Sequence, residues 1–257
     1  MIGAIAGDII GSVYEHHRLK TVIFPLFQAH SRFTDDSVLT VAVADALLHG
    51  QSYRDAVLIW GRRYPDAGYG GKFTRWLDSE NPEPYHSWGN GSAMRVSPVG
   101  WAFDTEEEVL RQARMTAVIT HDHPEGVKGA QAIALAIFLA RTGTGKATIR
   151  ARIQDQFGYD LTRTIASIRP DYKFRVSCQR SVPEALIAFL DTDSYEDAVR
   201  NAISLGGDAD TLACMAGSVA EAFYGGVPEA IRRETQTRLD FALWAVVEAF
   251  SQRYCQV

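Results

Sequence analysis

The chain has 257 residues, of which 46% are apolar and 22% are charged, and this composition favours one large globular domain over residues 1–257. Its formal net charge of −5 argues against a protein that holds a polyanion by charge alone, because such proteins carry basic stripes. The three cysteines show no CxxC spacing, which indicates reduced thiols and argues against a disulfide framework.

The amino-terminal segment predicts neither export nor a membrane anchor. It is apolar, but it lacks a basic region and carries Asp8, so it is a poor signal peptide. The longest apolar run, residues 132–140, is roughly half of what a membrane span needs. We therefore expect a cytoplasmic protein that does not bind membranes, and a monomer is the expected state.

Helical periodicity dominates the chain. Apolar residues after Asp36 recur at helical spacing until Gly50, the acidic run at residues 106–108 opens a second helix, and Pro124 opens a third. Further helices are predicted at residues 147–157, 182–190, 195–205, 211–224 and 235–251, with Pro183 and Pro228 in first-turn positions. Strand signals are few, with one extended stretch at residues 174–178, so the sequence predicts an all-α protein.

Two acidic loops each stand immediately before a predicted helix. Their oxygen-bearing side chains are Thr34, Asp35 and Asp36 in the first loop, and Asp208, Asp210 and Thr211 in the second. Asp and Thr are preferred helix caps, which is the simpler interpretation of either loop alone. A cap uses one oxygen, however, and the carboxylates would repel one another if the loops met without a cation. Hard oxygen ligands suit Mg²⁺, Mn²⁺ or Ca²⁺, so capping and a metal site both stay open.

Five sequence blocks, taken in order, resemble those of the ADP-ribosylglycohydrolase family, which includes the dinitrogenase reductase-activating glycohydrolases. The blocks are GDIIGSVYE, FTDDSVLT, WGNGSAMRVSPVG, THDHPEGVKGAQA and SLGGDADTLACMAG. Five blocks in the family's order are far more specific than any one of them. The resemblance implies a compact, single-domain orthogonal bundle of helices with a dinuclear Mg²⁺ or Mn²⁺ centre.

The resemblance also implies roles for the acidic residues. The implied ligands of one ion are Thr34, Asp35 and Asp36, those of the other are Asp208 and Thr211, and Asp210 contacts both. Glu15 lies where the family carries a mobile glutamate near the scissile bond. We predict that Asp35 or Asp36 steers the attacking water, and that Glu15 closes over the substrate or assists proton transfer.

The remaining blocks are predicted to bind a pyrophosphate and an adenosine. The GYGG loop precedes a short helical stretch at residues 73–77, and amides at a helix start favour phosphate, although a plain turn is the simpler interpretation. Ser87 would donate to phosphate and Trp88 would offer a stacking face. The resemblance places His121 beside phosphate or ribose. The predicted substrate-binding residues are Gly70, Gly71, Ser87, Trp88, Asn90, Gly91 and His121.

Several of these side chains have simpler interpretations when the resemblance is set aside. Trp88 would then be a core residue and His121 a structural histidine, as His123 is expected to be in either case. Arg75 and Arg95 could meet phosphate, but the sequence does not separate them from surface arginines. The cysteines receive no catalytic role, because no Cys/His spacing supports a nucleophile.

The predicted reaction is metal-dependent hydrolysis of the glycosidic bond between ADP-ribose and an acceptor, which passes through an oxocarbenium-like transition state. Two cations would bind the ribose hydroxyls and lower the pKa of a bridging water. The acceptor stays open between a protein side chain, a small molecule and a modified nucleic acid. The alternatives are a non-catalytic ADP-ribose-binding or immunity module, a metal-dependent phosphohydrolase suggested by His121 and Asp122, and a purely structural helical domain.

Overall fold

Helices form all the named elements of residues 1–255, the part of the chain that this structure, a computed structural model, describes. The helices, in chain order, are α1 (Ile2–Gly11), α2 (Asp35–His49), α3 (Tyr53–Arg63), α4 (Gly71–Asp78), α5 (Gly91–Met94), α6 (Ser97–Ala102), α7 (Glu106–Val118), α8 (Pro124–Arg141), α9 (Lys146–Phe157), α10 (Ile165–Ile168), α11 (Cys178–Leu190), α12 (Tyr195–Ile203), α13 (Ala209–Tyr224), α14 (Glu229–Gln236) and α15 (Phe241–Tyr254). Strand-like pairing in this range is confined to an isolated antiparallel bridge between Gly89 and Ser177. The all-α prediction is confirmed.

The helix starts that the sequence predicts are fixed by local caps. The hydroxyls of Thr34 and Thr105 accept hydrogen bonds from first-turn amides of α2 and α7, and Gly50, with φ of 65°, ends α2. His123 caps α8, because its Nδ1 accepts a hydrogen bond from the amide of Glu125 at 3.1 Å. This contact confirms the structural role expected for His123.

The predicted start of α11 is wrong. Pro183 lies inside α11 and not in its first turn, because the helix begins at Cys178, four residues earlier than predicted. That early start is held by the amide of Cys178, which donates to the carbonyl oxygen of Trp88 at 3.0 Å. Pro183 has no amide to bond back to Gln179, so α11 lacks one backbone hydrogen bond.

The segment predicted as one helix at residues 235–251 is divided between two helices. α14 ends at Gln236, and α15 begins at Phe241 after Asp240, whose Oδ1 accepts a hydrogen bond from the amide of Leu243 at 3.0 Å. Pro228 is the residue before α14 and not part of its first turn. The capping aspartate therefore marks a boundary that the apolar periodicity conceals.

α1 is absent from the sequence-predicted helices, and packing explains why it forms. Its glycines lower its intrinsic helix propensity, yet all ten of its residues are buried. A Cβ on Gly7 would lie 2.2 Å from the carbonyl oxygen of Ala213, and one on Gly11 would lie 2.5 Å from the Cα of Asp210. Only glycine permits so close an approach of α1 to α13. The approach brings the middle of α1 beside the start of α13.

The buried apolar side chains form one continuous cluster that includes residues of α1, α2, α8, α11, α13 and α15. A single core of this kind is what one compact domain requires. α13 has the longest uninterrupted run of buried residues among these helices, from Ala209 to Ala222. None of the helices within residues 1–255 is both long enough and apolar enough to span a membrane.

Candidate active site

A cavity of about 450 Å³ lies where the first residues of α2, α4, α5 and α13 come together. It gathers residues that are far apart in the sequence. The sequence-predicted site residues that line it are Glu15, Thr34, Asp35, Asp36, Gly70, Gly71, Ser87, Asn90, Gly91, His121, Asp208, Asp210 and Thr211. Trp88 is not among the lining residues. It is 50% exposed, with its ring 5.5 Å from that of His123 and 5.8 Å from Lys72 Nζ.

The first acidic loop brings a buried and partly unbonded carboxylate to the cavity wall. Oδ2 of Asp36 accepts a hydrogen bond from the hydroxyl of Thr211, 3.2 Å away, which links the two loops directly. Oδ1 of Asp36 is buried and has no hydrogen-bond partner among the described residues. A buried unpaired carboxylate oxygen is costly, so this atom is a candidate ligand for something that the protein itself does not supply.

The second acidic loop is shaped by a glycine and held by a residue of the neighbouring loop. Gly206 has φ of 65°, a conformation that favours glycine, and it precedes the turn that leads into α13. Oδ2 of Asp208 accepts a hydrogen bond from Nδ2 of Asn90 at 2.7 Å. Asn90 thus ties the predicted substrate loop to the predicted metal loop, a connection that sequence spacing does not reveal.

Asp8 is a carboxylate of the site that the sequence analysis missed. It is fully buried in the middle of α1, and it accepts hydrogen bonds from the amide and hydroxyl of Thr34 at 2.9 and 2.6 Å. It also accepts from the amide of Ser37 at 3.1 Å and from the hydroxyl of Ser37. Asp8 therefore fixes the start of α2. The available signal was one aspartate inside an otherwise apolar, glycine-bearing segment.

Two sets of three carboxylates bring their oxygens within 4.8 Å of one another, and Asp210 belongs to both. One set contains Asp8 and Asp36, and the other contains Glu15 and Asp208. These all-oxygen sets, together with the unbonded Oδ1 of Asp36, fit the ligand preference of Mg²⁺, Mn²⁺ or Ca²⁺. Helix capping alone does not account for them.

The carboxylates raise one another's pKa values in the absence of a cation. Burial raises the pKa of Asp8 to about 6, and burial with the charges of Asp8 and Asp208 raises that of Asp35 to about 8. Burial, followed by neighbouring carboxylates, holds the pKa values of Asp36 and Asp210 well above the usual range. Burial also raises the pKa of Asp208. The free site thus resists carrying its full negative charge.

Glu15 reaches the cavity from the segment between α1 and α2, and its side chain is 30% exposed. Burial and the nearby charge of Asp208 raise the pKa of Glu15. The same segment is anchored by Lys20, whose Nζ donates to the carbonyl oxygens of Arg169, Tyr172 and Leu205 at 2.7, 2.6 and 2.5 Å. This anchor was not predicted from the sequence.

Another part of the cavity wall contains His121 and a fully buried arginine, Arg95. Nη2 of Arg95 donates to the carbonyl oxygen of Thr116 at 2.7 Å and to the hydroxyl oxygen of Thr120 at 2.8 Å. That hydroxyl lies 2.7 Å from Nδ1 of His121. Burial and the charge of Arg95 hold the pKa of His121 well below its usual value. The structure thus distinguishes the buried Arg95 from the exposed Arg75, whereas the sequence did not distinguish them.

Comparisons with known proteins agree with this geometry. The sequence model of the ADP-ribosylglycohydrolase family matches residues 1–255. ADP-ribosylhydrolase ARH3 of Mus musculus is 28% identical, over 89% of this chain and 84% of that protein. ADP-ribosylarginine hydrolase Tri1 of Pseudomonas putida (strain GB-1) is 24% identical, over 89% of this chain and 71% of that protein.

The fold is also similar to that of a solved structure. A chain described as part of an ADP-ribosylglycohydrolase-related protein complex superimposes with a TM-score of 0.70, at 24% identity over 98% of this chain and 96% of that one. The helical fold, the carboxylate-lined cavity and the sequence matches together define a hydrolase. Within that class, the chain belongs to the ADP-ribosylglycohydrolase family, whose model covers nearly its whole length.

Proposed function

We propose that this chain hydrolyses the glycosidic bond between ADP-ribose and an acceptor, releases ADP-ribose, and uses two divalent cations, Mg²⁺ or Mn²⁺. The observation that carries the proposal is the meeting of two carboxylate sets, which share Asp210, at the wall of one cavity. The cavity's volume of about 450 Å³ falls in the range of small-molecule sites. The relatives above are named as hydrolases of ADP-ribosyl groups, which agrees with the proposal.

The proposed ligands of the cations come from both acidic loops. They are Thr34, Asp35 and Asp36 for one ion, Asp208 and Thr211 for the other, and Asp210 for both. Their support is the all-oxygen donor set, the unbonded and buried Oδ1 of Asp36, and the pKa values of Asp36 and Asp210, which burial and then neighbouring carboxylates raise. When bound, the cations would supply Lewis acidity toward the ribose hydroxyls and lower the pKa of a water.

The chain's own carboxylates are proposed to orient water and to move a proton. Asp35 or Asp36 would accept a hydrogen bond from the attacking water and hold it on the ribose face opposite the leaving group. Glu15, partly exposed at the same cavity, would close over the substrate or assist proton transfer. Its raised pKa favours a group that carries a proton for part of the cycle.

The pyrophosphate and adenosine are proposed to lie along the part of the cavity that Gly70, Gly71 and His121 line. The amides of Gly70 and Gly71 stand at the start of α4, where the helix dipole favours phosphate. Ser87, Asn90, Gly91 and His121 line the same cavity and offer further donors. Trp88 would offer its exposed ring at the rim, next to the lining residues of its own loop.

The proposed protein is a monomer of one domain, residues 1–257, that works in the cytoplasm. The single buried core among the described residues supports one domain. The three cysteines, which form no disulfide, support a reducing compartment. The name of Tri1 gives arginine as the acceptor, whereas that of ARH3 gives none. Which acceptor this chain uses is therefore the first question for experiment.

The test is mass spectrometry of the products formed from a panel of ADP-ribosylated substrates. The panel holds arginine-, serine-, acetyl- and nucleic-acid-linked ADP-ribose, each incubated with Mg²⁺, with Mn²⁺ and with EDTA. Free ADP-ribose that appears only with a metal supports the proposal, and the responding substrate names the linkage. Phosphate or a nucleoside monophosphate would instead favour a phosphohydrolase, and tight ADP-ribose binding without turnover would favour a binding module.

A further inference from the structure

The inference concerns the wall of the cavity that carries His121. Arg95 has no exposed surface, and its Nε and Nη1 have no hydrogen-bond partner among the described residues. Its Nη2 donates to the carbonyl oxygen of Thr116, in the last turn of α7, where the helix dipole is negative. This contact offsets part of the free energy cost of burying the guanidinium. It also fixes the direction of the second N–H group on Nη2. The second acceptor of Nη2 is the hydroxyl oxygen of Thr120.

The hydroxyl of Thr120 has a limited choice of partners. A guanidinium only donates, so the oxygen of Thr120 is the acceptor in its contact with Arg95. The hydrogen on that oxygen still needs an acceptor, because Thr120 is fully buried. Among the described residues, the polar atom left within hydrogen-bond distance is Nδ1 of His121, at 2.7 Å. Thr120 therefore donates to Nδ1.

The direction of the hydrogen bond from Thr120 decides the tautomer and charge of the His121 imidazole. A ring that accepts at Nδ1 and is neutral carries its hydrogen on Nε2. A hydrogen on Nδ1 would instead leave the hydroxyl hydrogen of Thr120 buried without a partner, and a doubly protonated ring would also face the charge of Arg95. Nε2 lies beside the predicted substrate loop, since a Cβ placed on Gly91 would be 3.1 Å from it. No described residue forms a hydrogen bond with Nε2.

We propose that Arg95 and Thr120 are positioning residues that fix His121 as a neutral imidazole with its hydrogen on Nε2. His121 is then a hydrogen-bond donor to a ribose or phosphate oxygen of the ligand, and it is not a general base. The identity of that ligand rests on the proposed function above, whereas the direction of the hydrogen bonds does not.

The test uses the whole protein labelled with ¹⁵N-histidine and two-bond ¹H–¹⁵N correlation spectra, which distinguish the tautomers of each ring. The signals of His121 are assigned by their loss in His121→Gln. Thr120→Val removes the hydroxyl at nearly constant volume and leaves Arg95 bonded to Thr116. Thr116→Val is the matched control, because it removes an equally buried hydroxyl, bonded to the Ala113 carbonyl, and keeps the Thr116 carbonyl. Thr120→Ser is the rescue variant.

The expected spectrum of the wild type shows His121 protonated on Nε2 and unprotonated on Nδ1. Thr120→Val should add the Nδ1–H tautomer and weaken the binding of ADP-ribose by about threefold to tenfold, the loss expected for one hydrogen bond. Thr116→Val and Thr120→Ser should match the wild type in both measurements. A wild-type ring protonated on Nδ1 or on both nitrogens, or an unchanged tautomer in Thr120→Val, would overturn the proposal. A wild type that binds no ADP-ribose would defeat the proposed function, while the spectra would still decide the tautomer.

Discussion

The two walls of the cavity are both deeply buried, yet they carry opposite kinds of charge. The acidic wall holds Asp36, Asp208 and Asp210. Burial raises the pKa of all three, and neighbouring carboxylates raise those of Asp36 and Asp210 further. The other wall holds His121 and Arg95, whose pKa values are lowered because burial opposes protonation. In the histidine wall, Nη2 of Arg95 and Nδ1 of His121 have hydrogen-bond partners within the protein. The acidic wall requires a cation from solution before all its carboxylates can be charged.

Removing one carboxylate from the acidic wall should have the largest effect. Asp36→Asn deletes the ligand with the unbonded oxygen, and we expect turnover of an ADP-ribosylated substrate to fall on the order of 10³-fold. The same variant should melt at a higher temperature than the wild type in EDTA, because one repelling charge is gone. Asp55→Asn, an exposed first-turn aspartate of α3, is the matched control. Activity of Asp36→Asn within tenfold of the wild type would refute its assignment.

A substitution of Glu15 tests whether turnover can be reduced while metal binding by the acidic wall is retained. We expect Glu15→Gln to lower kcat by about 100-fold, the usual contribution of a group that transfers a proton. Mg²⁺ should still raise the melting temperature of this variant, because the carboxylates of both loops are unchanged. Glu107→Gln, at an exposed position of α7, should behave as the wild type. A variant that no longer responds to Mg²⁺ would show that Glu15 is needed for metal binding itself.

Asp8 tests how far the acidic wall depends on α1. Asp8→Asn places an amide against donors from Thr34 and Ser37, so the start of α2 should shift. We expect the affinity for Mn²⁺, measured by calorimetric titration, to fall by about 10-fold to 100-fold, as is usual when a residue that orients a ligand is lost. Ser37→Ala removes one of the donors and should give a smaller loss. Equal Mn²⁺ affinity in Asp8→Asn and the wild type would contradict this role.

The smallest effect concerns pH. Acids whose pKa is raised on folding stabilise the folded protein when protonated, and that stability is lost as the pH rises through their folded pKa values, about 6 for Asp8 and about 8 for Asp35. Asp8 has lost its contribution by about pH 6 and Asp35 by about pH 8. The melting temperature in EDTA should therefore still fall between pH 6 and 8 because of Asp35, and the increase caused by Mg²⁺ should be larger at pH 8 than at pH 6. His121, whose pKa burial lowers, contributes with the opposite sign. An increase in melting temperature with Mg²⁺ that does not vary with pH would show that these carboxylates take no part in metal binding.

α1, one of several helices that the sequence analysis missed, shows where local patterns stop being informative. α2 was predicted because its two ends are marked by residues directly beside the helix, Thr34 and Gly50. α1 was not, because its glycines lower its local propensity, and its stability comes from contact with α13, about two hundred residues later. Asp8 was missed for the same reason. Asp8 accepts hydrogen bonds from residues at the start of α2, and Asp210 of α13 lies beside it. These contacts cannot be predicted from the segment that contains Asp8.

The sequence by itself determined the helical class, the order of the family's blocks and the chemistry of the two acidic loops, because periodicity, caps and ligand type are properties of short segments. The tertiary structure decided which groups meet. It brought Asp36 to Thr211 across 175 positions, buried Arg95 while leaving Arg75 exposed, and set the direction of the hydrogen bond to His121. Burial and distance between remote residues arise only when helices pack, and they govern the pKa values and hydrogen bonds of this site.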